Sequence, residues 1–109
     1  MPAFISGGFV PRRMKGRTLD GLMHLADWFP TICSLAGVDP QIAADTDAGY
    51  PAVDGYDLWP YLSGAEAKSP RNEIMFGPEP TWGLEPGTFD GLAGSFIHGT
   101  YKYVFGVQK

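Results

Sequence analysis

The sequence predicts an α/β or α+β fold assembled from short elements. Three observations carry that expectation: a high density of turn residues, a carboxylate-led helix start that occurs twice, and a period-two aromatic strand near the C-terminus. The 109 residues include 15 glycines and 10 prolines, which favour turns and exclude long helices and helical bundles. Hydrophobic residues make up 44% and aromatic residues 14%, enough for a core, and the charged fraction of 18% contains no long block of one sign. Such a composition folds instead of remaining disordered. The length allows one domain or a piece of one. A fold of this size buries about two-thirds of the surface its unfolded chain exposes, so disulfides are not compulsory.

The elements follow in order. Pro2 to Val10 is apolar around a glycine pair, and Phe4-Ile5 suits the end of a buried strand that turns at Gly7-Gly8 and needs neighbours on both sides. Leu19 to Gly37 invites a single long helix, but an interior proline costs about 3 kcal/mol through its missing N–H and its clash with the carbonyl four residues back. Placing Asp27 at the N-cap puts Pro30 in the first turn, where a missing donor costs nothing. The reading is therefore an extended Leu22–Ala26, then a helix from Trp28 to Ala36 closed by a left-handed Gly37. Asp57-Leu58-Trp59-Pro60 repeats the device and predicts a second short helix, entered through an Asp54-Gly55 turn and followed by Gly64. Asp39 to Pro51 has no apolar period and reads as a loop. Asn72 to Phe76 suits a strand, whereas Gly77 to Gly91, with Pro78, Pro80 and Pro86, reads as irregular. Ser95 to Phe105 predicts a hairpin turning at His98-Gly99, with Tyr101, Tyr103 and Phe105 on one face that needs covering.

Charge and composition narrow the function. A formal net charge of -4 removes the electrostatic footprint of nucleic-acid binding. No apolar run approaches the about 20 residues of a membrane span, and the first residues do not read as a signal peptide. Arg12, Arg13, Lys15 and Arg17 concentrate positive charge; a solvated loop accounts for them, with an anion-binding patch as the competing reading. Cys33 has no partner thiol and falls on the predicted apolar stripe with Phe29 and Ala36, as a buried small hydrophobe would. Cys33, Ser34, His24 and Asp27 are close in sequence, but that is not the geometry of a triad, and His24 and His98 read as packed or partly exposed histidines rather than bases or ligands. Asp45 and Asp47 lack the spacing of a calcium loop, and Asp39, Asp54 and Asp57 are explained by turns and caps. Trp28, Trp59 and Trp82 offer stacking surfaces for sugars, against a simpler reading as core or interface residues. Gly7-Gly8 lacks the Lys-Ser/Thr of a phosphate loop. No residue stands out as catalytic, cofactor-binding or metal-binding.

Four segments, taken together and in order, resemble the sulfatase family, in particular its arylsulfatase B-like group. His24-Leu25-Ala26-Asp27-Trp28-Phe29-Pro30-Thr31 leading into Leu35-Ala36-Gly37 resembles the stretch that follows the catalytic half of those enzymes. Val53-Asp54-Gly55-Tyr56-Asp57-Leu58-Trp59 is similar to their Asp-Gly-x-Asp-x-Trp element, Ser69-Pro70-Arg71-Asn72-Glu73-Ile74 to a Pro-Arg-x-Glu strand, and His98-Gly99-Thr100-Tyr101-Lys102 to a His-Gly-x-Trp-Lys strand. Pro2 to Gly8 is similar to the strand just upstream.

The resemblance implies an alkaline-phosphatase-like fold of which this chain is the C-terminal portion: the last strand of the central sheet, short helices and a small antiparallel sheet. Residues 1–64 would end the catalytic α/β domain and residues 65–109 begin the C-terminal sheet subdomain. Sulfatases cleave sulfate esters with a formylglycine made within Cys/Ser-x-Pro-x-Arg and a calcium ion held by Asp-Asp and Asp-Asn pairs. Here Cys33-Ser34-Leu35-Ala36-Gly37 has Leu and Gly where that motif has Pro and Arg, so Cys33 does not inherit the nucleophile's role. The expectation is a structural and substrate-entrance part of a sulfuric ester hydrolase that binds no cofactor itself. Its partner would be the remainder of the catalytic domain, and sulfate ester would be engaged only by the intact parent. Members of the family are commonly lysosomal, periplasmic or secreted. The alternative is a small stand-alone interaction module using the Trp82 loop and the aromatic hairpin.

Overall fold

The computed structural model describes residues 3–43, 49, 51–82 and 89–106. The chain divides into two compact units, Met1–Arg71 and Asn72–Lys109. The helices lie in the first unit and all the described strands in the second.

In the first unit a 3-10 turn at Arg12–Met14 is followed by another at Leu25–Asp27, which runs directly into α1, Trp28–Ala36. The expected extended stretch therefore ends earlier, at His24, because His24 and Asp27 form a reciprocal capping box: the Asp27 carboxylate accepts the His24 N–H, and His24 Nδ1 accepts the Ala26 N–H. Helix α1 keeps its expected bounds. Pro30 lies in its first turn, and Gly37 closes it at φ 71°, its N–H donating to the Ser34 carbonyl. Asp27 holds the N-cap position but its side chain makes no cap bond to α1, since both oxygens are engaged elsewhere. A single helical turn, α2, Pro40–Ala43, interrupts the expected loop, with the Asp39 carboxylate accepting the Gln41 N–H. The third helix, α3, Trp59–Leu62, starts where the second Asp-x-x-Pro placed it, and Asp57 accepts the Trp59 N–H at 2.8 Å.

The core of this unit is small. Leu58, Tyr61 and Leu62 are buried, with Ile5, Met23, Trp28 and Trp59 packed against them. Two expectations are overturned around it. Phe4-Ile5 forms no strand; Phe4 is 90% exposed and only Ile5 reaches the core. A buried strand requires neighbours on both sides, and the described residues of this unit contain none. Helix α1 buries Pro30 and Thr31, whereas Phe29, Ile32 and Ser34 are exposed and Cys33 is half-buried. Cys33 is thus not the buried hydrophobe expected of it.

The second unit is a three-stranded antiparallel sheet in the order β1-β2-β3, with β1 Glu73–Trp82, β2 Phe89–His98 and β3 Tyr101–Phe105. The hairpin is the expected one: His98 pairs with Tyr101 across Gly99 and Thr100, and Gly99 takes φ 57°. The segment expected to be irregular is partly strand, since β1 runs through Pro78 and Pro80. Prolines are admitted because β1 is an edge strand and its register shifts between Phe76 and Glu79. Pro86 lies outside the described residues. Gly94 sits where any side chain would collide, since a Cβ there would come within 2.6 Å of the Phe76 carbonyl and 2.7 Å of the Phe105 ring.

Gly55 allows the loop before α3 to press against the start of α1: a Cβ there would lie 2.5 Å from the Ala26 carbonyl oxygen and 3.0 Å from the Pro30 ring. Gly55→Ala is expected to destabilise the first unit by about 1–3 kcal/mol, read as a lower urea midpoint in tryptophan fluorescence. Gly8→Ala, with open space around the site, should leave the midpoint unchanged.

Candidate functional site

The most highly organised polar site is centred on Asp27. This carboxylate is completely buried, which is costly unless it is paired and its lone pairs are satisfied. The surrounding chain supplies four N–H donors. Oδ2 accepts the His24 N–H at 2.7 Å and Arg71 Nε at 2.8 Å, and Oδ1 accepts the Tyr56 N–H at 3.0 Å and Arg71 Nη2 at 2.5 Å. The Arg71 contact is the two-pronged guanidinium–carboxylate pairing that a lysine cannot reproduce.

The residues that position this pair are themselves tied down. The Arg71 guanidinium lies over the Tyr56 ring, 4.7 Å from its centroid, and reaches the Asp54 carbonyl at 3.4 Å. Ser69 Oγ donates to the Leu22 carbonyl and accepts the Arg71 N–H. One turn along α1, Thr31 Oγ1 donates to the Asp27 carbonyl at 2.6 Å and accepts the Leu58 N–H at 2.9 Å. Three of the segments singled out in the sequence, around residues 24–31, 53–59 and 69–71, therefore meet at one carboxylate.

Electrostatics follow from that geometry. Burial pushes the Asp27 carboxyl up, but the Arg71 hydrogen bonds, the Tyr56 and His24 N–H groups and the Arg71 charge together hold it below its ordinary value. The Arg71 guanidinium is held above its own ordinary value, chiefly by its hydrogen bonds to Asp27. With four donors on two oxygens the site has no acceptor left for a substrate, and it acts as a tie between segments.

The other residues considered for chemistry are dispersed. His24 Nδ1 is committed to the Ala26 N–H. His98 is exposed on β2, its ring stacked 6.2 Å from Phe96. Trp28 and Trp59 pack on the core, with Phe9 5.5 Å from Trp59; the side chain of Trp82 and all of Asp45 and Asp47 lie outside the described residues. Arg13 donates to the Ser63 carbonyl at 3.0 Å, which binds the basic turn to the end of α3. Cys33 lies within α1, with Leu35 and Gly37 two and four positions further on. Asp27 offers a cation no open oxygen, and among the described residues no group of three or more His, Cys, Asp or Glu could hold a metal.

The sequence pattern sets Asp27 at a helix start and Arg71 in a strand, with no local feature that joins them. The available signal was an aspartate between Ala26 and Trp28 in an otherwise apolar stretch, which needs a cationic partner if buried. Tyr56 and Thr31 gave no such sign.

No protein-family model matches the chain. A stretch of 68 residues is 37% identical to arylsulfatase J of Mus musculus, taking in 62% of this chain and 10% of that protein. This likeness supports a relationship to the sulfatase family, of whose member the matched stretch spans about a tenth. No described helix is long and apolar enough to cross a membrane.

Breaking a buried ion pair by removing one charge costs about 3–5 kcal/mol, so Asp27→Asn is expected to lower unfolding stability on that scale in denaturant titrations. Because the folded carboxyl titrates below its unfolded value of about 4, its contribution is fully present above that pH. It is lost as the pH falls through the lower folded value. The wild-type protein should therefore lose stability in acid more steeply than Asp27→Asn. Equal slopes for the two proteins would show that Asp27 does not titrate as described.

Proposed function

We propose that this chain is scaffold from a sulfatase-type sulfuric ester hydrolase, corresponding to its C-terminal portion and contributing structure and substrate-entrance shape without reactive groups. Residues 1–64 would close the catalytic α/β domain and residues 65–109 open the antiparallel-sheet subdomain. The observation that carries the reading is the Asp27–Arg71 tie, which joins three of the segments that resemble sulfatases. The 37% identity to arylsulfatase J supports it.

The physical reasoning concerns what cleavage of a sulfate ester requires. Charge developing in the transition state must be met by preorganised positive groups or a metal, and a nucleophile must be activated. The Asp27 carboxylate, the Arg71 guanidinium, His24 Nδ1 and Thr31 Oγ1 are engaged by one another and by backbone groups. Their value lies in rigidity: a catalytic constellation tolerates errors of only about 0.5 Å, which a saturated buried network in the supporting shell helps to enforce. Formylglycine and calcium would come from the remainder of the catalytic domain, and the sulfate ester would be bound only by the whole.

Two measurements test this. The purified 109-residue chain should give no turnover of an aryl sulfate, and turnover above the uncatalysed rate would overturn the reading. Replacing the matched stretch of arylsulfatase J with the corresponding stretch of this chain should preserve that enzyme's turnover of an aryl sulfate. Introducing Asp27→Asn into the chimera should then reduce folded yield and activity together. A chimera that folds but is inactive would count against a purely structural role.

A further inference from the structure

We draw no further inference here: the strongest candidate, the exposed apolar stripe of Leu25, Phe29, Ile32 and Leu35 along the second 3-10 turn and α1, is an unpartnered face, and nothing in the structure shows what covers it.

Discussion

A carboxylate with no exposed surface destabilises a fold unless its charge and its lone pairs are both met, and most of the first unit follows from meeting them at Asp27. The donors come from three places in the sequence: the residue three positions back, a loop 29 positions on, and an arginine 44 positions on. Each donor brings its segment with it. His24 fixes the 3-10 turn that launches α1, Tyr56 draws in the loop that leads to α3, and Arg71 pins the last residues before the sheet. The hydrophobic core of Leu58, Tyr61 and Leu62 is small, so this polar tie specifies the arrangement as much as apolar burial does.

The same constraint explains why α1 is oriented against its apolar pattern. Asp27 at its start and Thr31 one turn later must both face the Tyr56–Leu58 backbone to be satisfied. Leu25, Phe29 and Ile32, spaced at i, i+4 and i+7, are thereby left outward. Every buried side-chain nitrogen or oxygen among the described residues has a partner.

Local signals in the sequence were therefore reliable and long-range ones were not. The bounds of α1, the placement of α3 and the hairpin at Gly99-Thr100 were legible because proline, glycine and short-range carboxylates act over a few residues. Helical periodicity sets Cys33 and Phe29 on one stripe without saying which way that stripe faces. Phe4-Ile5 has the residues of a strand and forms none, because a strand is a property of its neighbours as well as of its own residues. Strand β1 ran beyond its expected end because prolines exclude only central strands, and which strands lie at an edge is known only once the sheet is assembled. The Asp27–Arg71 pair belongs to that second class: each residue has an ordinary local explanation, and only their meeting reveals the site.

The separation of 44 residues between Asp27 and Arg71 has a bearing on synthesis. The chain is made from its N-terminus, so α1 leaves the ribosome well before the arginine does. Throughout that interval the aspartate has only backbone N–H groups to meet its charge, and it must stay hydrated or take up a proton to remain buried. Asp27 gains its full set of donors only once Arg71 has been made.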